Sequence, residues 1–162
     1  MKDLILDIIT QINTVQGVNF VAVWNNQLND IQDGNVYSFP FPAVFIDVKD
    51  YSINDIGNGV QIYEDIIIDI HIVNEFYNNS LYEAPEQNFT IFDLKQSIFQ
   101  SLYLFEPDNA VAFTRIEEQQ DKDYTNLYHF IQSYKTNYLD NSGKVYGKYS
   151  TNITQWQGQF HR

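Results

Sequence analysis

A run of alternating apolar and polar residues constrains the fold of this chain more than any other feature. It covers residues 60–73, VQIYEDIIIDIHIV. Six apolar residues stand at even positions: Val60, Ile62, Ile66, Ile68, Ile70 and Ile72. Four polar residues stand at odd positions: Gln61, Asp65, Asp69 and His71. Because successive side chains of a strand point to opposite faces, the run predicts a long strand with one dry face and one face that is wet or covered by a partner.

The predicted strand is about twice the usual length, so we expect it to project past the body of its own domain. Glu64 alone interrupts the dry face, and Ile67 and Val73 alone interrupt the wet one. The composition predicts one folded domain around it. The chain has 162 residues, of which 44% are hydrophobic and 16% aromatic, which is enough for a core of Ile, Val, Phe and Tyr but short for two domains.

The charge and the residue types exclude several functions. A formal charge of -12 repels phosphate backbones, so sequence-specific nucleic-acid binding is not expected. The absence of Cys excludes disulfides, thiolate nucleophiles and Cys-ligated zinc. The first residues, MKDLILDIITQI, carry charges within their apolar run, which is typical of neither a signal peptide nor a membrane span. We therefore expect a protein that acts without export and without a membrane partner.

Two amphipathic helices are predicted, at residues 3–15 and at about residues 86–104. In the first, apolar residues recur at spacings of three and four: Leu4, Ile5, Ile8, Ile9, Ile12 and Val15. In the second, the apolar stripe consists of Ile91, Leu94, Ile98 and Leu102, widened by Phe92 and Phe99. The first helix is expected to end near Gly17 and the second before Pro107.

The remaining periodic segments predict strands at residues 19–24, 43–50, 60–73, 110–117 and 124–139. Gly57-Asn58-Gly59 is a favoured hairpin turn between the strands at 43–50 and 60–73, and residues 118–123 predict a second turn. The economical packing is an α+β fold, with an antiparallel sheet of about four main strands and both helices on one face. The other face is then expected to be wet or to find a partner.

The C-terminal residues are expected to lie outside the core of the domain. We expect a single domain at residues 1–139 and an extended C-terminal tail at residues 140–162, where the periodicity is lost. The tail holds several large apolar residues: Tyr146, Tyr149, Ile153, Trp156 and Phe160. Such a segment cannot form a core alone, yet it is too apolar for a solvated linker, so we expect a neighbouring molecule to order it.

One group of residues could carry chemistry. Asp65, Asp69 and His71 share the polar side of the long strand, and an Asp with a His two residues later can bind a metal or polarise a nucleophile. Polar residues must occupy the exposed side of any half-buried strand, which favours the plain structural interpretation. His129 and His161 have no partner at a recognisable ligand spacing.

Two further patterns have plain explanations. An acidic group could form a calcium loop, but the EF-hand pattern is missing and an acidic turn is favoured: Glu117, Glu118, Asp121 and Asp123. Aromatic residues line one face of the last strand: Tyr128, Phe130, Tyr134 and Tyr138. Because the net charge of the chain is -12, core packing or a protein interface is favoured for them over stacking on nucleic-acid bases. No phosphate loop, GxSxG or HExxH is present. No enzyme, catalytic residue, metal or cofactor is predicted.

In the order and kind of its elements, the chain to about residue 139 resembles the tail terminator (tail-completion) proteins of long-tailed bacteriophages and the related connectors of head-to-tail joints. Those proteins have an N-terminal amphipathic helix and a long loop, followed by a Pro-led strand, such as FPAVFIDV here. A long hairpin strand, such as YEDIIIDIHIV, then precedes a helix and a last pair of strands. No catalytic or binding motif is carried over from the family.

The resemblance implies a structural virion protein, assembled in the host cytoplasm. Its copies would form a ring, commonly a hexamer or higher, that caps the tail tube and joins it to the head, with DNA passing through the lumen. Its partners would be further copies of itself and the neighbouring tail-tube and connector proteins. The expected contact residues lie on the long strand and in the tail: Tyr63, Asp65, Ile67, Asp69, His71, Trp156 and Phe160.

Two other classes stay open. One is a monomeric α+β ligand-binding or adaptor module without catalysis, and the other is a small hydrolase that uses the region of Asp69 and His71. The oligomeric state in solution separates the ring from the monomeric module.

Overall fold

The computed structural model describes residues 1–28, 39–75, 87–124 and 127–144. Within these residues lie six strands and two helices, α1 (Lys2–Ile12) and α2 (Gln87–Leu102). The six strands are β1 (Phe20–Val23), β2 (Ala43–Val48), β3 (Ser52–Gly57), β4 (Val60–Glu75), β5 (Thr114–Asp121) and β6 (Leu127–Asp140). Neither described helix is long and apolar enough to span a membrane.

Both predicted helices form, and each ends two or three residues earlier than predicted. After α1, the Thr14 hydroxyl donates to the Gln11 carbonyl oxygen at 2.6 Å, and Gly17 adopts a φ of +93°, which suits glycine best. After α2, Leu104 adopts a φ of +60°, and Pro107 follows. The amphipathic period fixes the helices, whereas the exact end depends on local capping bonds.

All six strands form one sheet, with neighbours in the order β1-β2-β4-β6-β5 and with β3 also paired to β4. β2 and β3 lie along the same edge of β4, opposite residues 68–73 and 60–64 respectively. The pair β1–β2 is parallel and the other pairs are antiparallel. The fold is therefore α+β, as predicted, and the sheet is mixed and six-stranded; the predicted antiparallel sheet of about four main strands is roughly consistent with it and differs in the number of strands and in the one parallel pair. A parallel pair needs a long crossover, and the chain between β1 and β2 provides it.

Both helices pack on one face of the sheet, as predicted, and bury a single core against it. We call this side the helix face. The helices contribute Leu4, Ile8, Ile12, Ile91, Leu94, Ile98 and Leu102. The strands contribute, among others, Ile66, Ile68, Ile70, Ile72, Phe130, Tyr134 and Tyr138. The stripes read from the sequence thus define the core between two layers.

The opposite side, which we call the outer face, is partly covered by the chain itself, and this corrects the expectation of a face that is wet or covered by a partner along the long strand. A second apolar cluster lies there: Leu28, Ala43, Phe45, Val73 and Leu127. The crossover between β1 and β2 lays Trp24, Phe39 and Phe41 against it. Asp69 and His71 are consequently buried although they stand at polar positions of the alternation.

A β-bulge divides β4. Glu64 and Asp65 together lie opposite the single residue Asn137 of β6. Asp65 adopts a φ of +56°, which Asp tolerates better than most residues, and its backbone N–H donates to Asn137 Oδ1 at 2.8 Å. The extra residue reverses which positions of β4 point to the helix face.

The reversal corrects the predicted dry face. Beyond the bulge, even positions such as Ile66 face the helices, as predicted. Before the bulge, Tyr63 faces the helices and pairs with Tyr138, while Ile62 lies on the outer face. Val60 and Ile62 therefore do not share a face with Ile66, because a bulge adds one residue to a period of two.

Two stretches differ from their predicted state. Residues 52–57, predicted as a connection, form β3, although the predicted turn at residues 57–59 does form. β5 covers residues 114–121 instead of 110–117, so it includes most of the predicted turn at 118–123. Both strands are exposed, and their sequences therefore need no apolar alternation. Residues 145–162 lie outside the described residues, and the division into a domain and a tail stays a prediction.

Candidate functional site

One end of the sheet extends into a three-stranded arm, formed by β3, residues 60–64 of β4 and residues 138–140 of β6. β3 pairs with β4 alone, and all six of its residues are exposed. At the tip, Gly57, Asn58 and Gly59 all adopt a positive φ, which Gly and Asn accept most readily. Within the described residues, no strand pairs with the second edge of β3.

The arm carries large apolar side chains in exposed positions. Ile53 is 49% exposed and Ile56 is 57% exposed. On the helix-face side, the Tyr63 ring lies between the rings of Tyr51 and Tyr138, at centroid distances of 5.3 and 6.1 Å. An exposed strand edge with apolar side chains is a ready surface for another protein chain.

The described chain ends beside the tip of the arm. After β6, Gly143 lies so close to Gly59 that a Cβ added to Gly59 would stand 1.9 Å from the Gly143 carbonyl oxygen. Gly59 also has a φ of +71°, so two independent constraints favour glycine there. The C-terminal residues therefore leave the described structure at the arm tip, not at the helix layer.

A buried pair of histidines lies on the outer face, in the body of the sheet. His71 of β4 and His129 of β6 approach with Nδ1 and Nε2 2.9 Å apart. His129 Nδ1 lies 3.1 Å from Asp121 Oδ2, and the Trp24 ring stacks on His71 with centroids 4.2 Å apart and planes 6° from parallel. Neighbouring strands and the crossover thus hold the two rings in place.

The hydrogen-bond network assigns the protons of this pair. The Asp121 carboxylate only accepts, so His129 carries its proton on Nδ1 and accepts at Nε2 from His71 Nδ1–H. His71 Nε2 is then an unprotonated, buried acceptor without a hydrogen-bond partner among the described residues. The Asp47 carboxylate lies 3.9 Å from it, beyond hydrogen-bond distance.

Burial sets the protonation of both rings. It lowers the pKa of His71 to about 3, and the nearby His129 and Lys49 act in the same direction. Burial also lowers the pKa of His129, against the opposing effect of Asp121. Both histidines are therefore neutral at pH 7.

The polar groups around the pair bond to one another. The Ser133 hydroxyl donates to Asp69 Oδ1 at 2.5 Å, and Lys49 pairs with Asp47 at 2.6 Å. In the described part of the chain, no three His, Asp or Glu side chains are placed to hold a metal ion. The pair ties β4 to β6 and, through Asp121, to β5, which stabilises the outer face.

The predicted contact residues do not form one surface. Tyr63 lies on the helix-face side of the arm, whereas Asp65 is exposed at the bulge and pairs with Lys135 at 2.8 Å. Ile67 is half-buried, and its backbone bonds to residues 49 and 50. Asp69 and His71 are buried on the outer face. The tail residues Trp156 and Phe160 lie outside the described residues.

The acidic group of residues 117–123 is divided between the two faces. Glu118 lies on the helix face, where it pairs with Lys95 and Arg115. Burial acts to raise the pKa of Glu118, but Lys95, Gln132 and Arg115 together hold this pKa below its ordinary value. Asp121 lies on the outer face against His129. This arrangement follows from the strand and its bulge and does not resemble a calcium loop.

Sequence reasoning missed the partner of His71. His71 and His129 both stand at outer-face positions of neighbouring strands, which the alternation indicates. Their contact depends on the register Val73↔His129 and His71↔Ile131, which no single sequence states. Trp24 follows directly after the short strand β1, and nothing in the local sequence indicates that its ring stacks on His71.

Comparisons with known proteins found likeness to solved structures. No protein-family model and no curated protein matches the chain. Among solved structures, it is similar to a chain from the virion of a native gene transfer agent particle. The TM-score is 0.48 and the sequence identity 7%, over 86% of this chain and 96% of that chain. A likeness at this level transfers no function.

Proposed function

We propose that this protein is a non-catalytic structural subunit of a phage-like virion, and that its copies assemble into a ring through the arm. The ring stands at the head-to-tail joint or on top of the tail tube, with DNA passing through its lumen. The observation that carries the proposal is the arm itself, an exposed hairpin on a strand of 16 residues. The order of elements that resembles the tail terminator proteins also supports it.

The arm has the properties of a contact between subunits. Its free edge offers backbone donors and acceptors, and Ile53 and Ile56 offer apolar area that water covers in the single chain. Burying apolar area contributes about 25 cal/mol per Å². A head-to-tail contact joins two different surfaces of each copy, and such contacts close into rings when the rotation permits.

The charge of the chain agrees with a passage for DNA. A ring built from subunits of formal charge -12 repels the phosphate backbone and does not hold it. DNA can then slide through the lumen without binding to it. The same charge disfavours a function in which the subunit grips nucleic acid.

The test compares two substitutions by light scattering after size-exclusion chromatography. The double substitution Ile53→Asp with Ile56→Asp places two charges on the arm, and we expect it to shift the protein from a ring to a monomer. Leu6→Asp is the matched control, because Leu6 is 46% exposed on α1, away from the sheet. We expect the control to assemble as the unchanged chain does.

Circular dichroism shows whether each variant is folded. If the arm variant is folded and still assembles normally, the arm does not form the contact between copies. An unchanged chain that stays monomeric at high concentration, alone and with tail-tube and connector proteins, would instead favour the monomeric ligand-binding or adaptor module.

A further inference from the structure

β5 presents a second open strand edge, at the opposite side of the sheet from β1. Six of its eight residues are exposed, and no strand among the described residues pairs with its outward edge. Ile116, at a bulge in this strand, is half exposed. Such an edge is a template for an added strand, and proteins usually cover or shorten it.

The charge near this edge is mostly negative. Glu117, Asp121 and Asp123 carry carboxylates there, Arg115 and Lys122 carry the cations, and Glu118 is already paired with both Lys95 and Arg115. A strand that fits here is expected to be basic.

The C-terminal residues have the matching chemistry. Residues 145–162 contain two basic residues, Lys148 and Arg162, and no Asp or Glu. This segment is thus at +2 and the rest of the chain at -14, which together give the total of -12. Residues 149–156, YSTNITQW, are rich in β-branched and aromatic residues, and no proline interrupts the segment.

We infer that residues 145–162 of one copy add as a strand to the free edge of β5 in a neighbouring copy. The inference rests on the proposed ring, and it names one of the contacts that hold the ring together. Main-chain hydrogen bonds would supply the pairing, and the basic side chains would face the carboxylates near Glu117. Trp156 and Phe160 would add apolar contact beside Ile116.

A neighbouring copy is the favoured acceptor for two reasons. The segment leaves the structure at the arm tip, and its 18 residues can span about 60 Å when extended. Returning along its own β5, it would run in the same direction as that strand, and parallel pairing is the weaker kind. If every copy donates one segment and accepts one, the ring closes with each β5 edge covered.

The test uses the absence of Cys in the chain, because only introduced thiols can then be crosslinked. One variant carries Gln119→Cys on β5 and a second carries Gln155→Cys in the C-terminal segment. We expect a short bismaleimide to join the two variants when they are mixed. Thr10→Cys on α1, used in place of Gln119→Cys, is the control and should give little product.

A chain that carries both Gln119→Cys and Gln155→Cys is then diluted until it is monomeric. This variant shows whether the segment pairs with β5 of its own copy or with β5 of a neighbour. Crosslinking within this monomer, with none between mixed chains, would show that the segment folds back on its own β5 and would overturn the inference. Equal crosslinking with the Thr10→Cys control would overturn it as well, since the contact would then be unspecific.

Deletion of residues 145–162 distinguishes this inference from the proposed function. We expect the shortened protein to fold, and the concentration for half-maximal assembly to rise about tenfold or more. Normal assembly after the deletion would refute the strand addition and leave the ring standing. A full chain that never assembles would refute both.

Discussion

Mild acid is expected to destabilise this protein through His71. The side chain is 4% exposed, and its pKa of about 3 in the folded state lies below the ordinary value of 6.5. The unfolded chain therefore binds a proton more readily than the folded one. The stabilisation is fully present above pH 6.5 and is lost as the pH falls towards 3.

The magnitude at pH 5 follows from the unfolded chain. There the solution is about 1.5 pH units below the pKa of an exposed histidine, and each unit corresponds to about 1.4 kcal/mol. His71 alone should thus lower the free energy of unfolding by about 2 kcal/mol between pH 7 and pH 5. Asp47, the carboxylate nearest to Nε2, is already paired with Lys49 and offers the new charge little relief.

Urea denaturation at several pH values between 7 and 5 measures this loss, in a range where the free carboxyl groups stay ionised. His71→Asn is the informative variant, because its amide can still donate towards His129 but does not titrate. We expect this variant to lose about 2 kcal/mol less than the unchanged chain over the same range. His161→Asn, which removes the histidine outside the pair, should keep the original dependence.

Two results would refute the reasoning. A free energy of unfolding that stays constant from pH 7 to pH 5 would mean that His71 is not held neutral in a buried site. If the free energy of unfolding fell equally in the unchanged chain and in His71→Asn, the pH dependence would come from other groups.

Three further changes test the packing. Ile68→Asp should unfold the protein in circular dichroism, because an unpaired charge in the core costs several kcal/mol against a total of about 5 to 15. Gly59→Ala should lower the melting temperature more than Gly57→Ala, since both glycines have a positive φ but only Gly59 faces a close backbone; equal effects would contradict the close approach. Trp24→Ala should cost about 3 kcal/mol in urea denaturation and expose His71, and a rise of the His71 pKa measured by NMR checks this.

The helix layer was readable from the sequence. Leu4, Ile8 and Ile12 recur at the helical period, and the structure buries all three against the sheet. In β6, the alternation places Tyr134 on the helix face and His129 on the outer face, as the structure does. A period set by one buried face is a local property, and a single sequence records it.

The bulge in β4 was not readable in this way. Glu64 marks the place where the apolar alternation fails, but an interruption of one residue looks the same whether the strand continues or adds a residue. The choice depends on Asn137, which accepts the hydrogen bond of the Asp65 N–H from another strand. Long-range partners of this kind are absent from the local pattern.

The cover on the outer face also depends on distant residues. The alternation correctly separates Asp69 and His71 from the isoleucines, but it does not show what lies above them. Trp24 and the aromatic residues before β2 close that part of the face, and hydrogen bonds then satisfy the polar groups below. A polar strand position can therefore be buried when the fold supplies its partners.

The exposed strands β3 and β5 gave the weakest signals. Ser52–Gly57 and Thr114–Asp121 pack few side chains, so they lack the apolar alternation that identifies a half-buried strand. Their pairing comes from the hairpin turn and from the neighbouring strand. These open edges are also the parts to which we assign contacts between copies.

The central claim is that copies of this chain form a closed ring, and native mass spectrometry of the full chain tests it most directly. The proposal predicts one dominant species with a fixed number of 19.0 kDa subunits, six or more, together with annular particles that have an open centre in electron micrographs. A single 19.0 kDa species at every concentration, or a continuous series of sizes without closure, would contradict it.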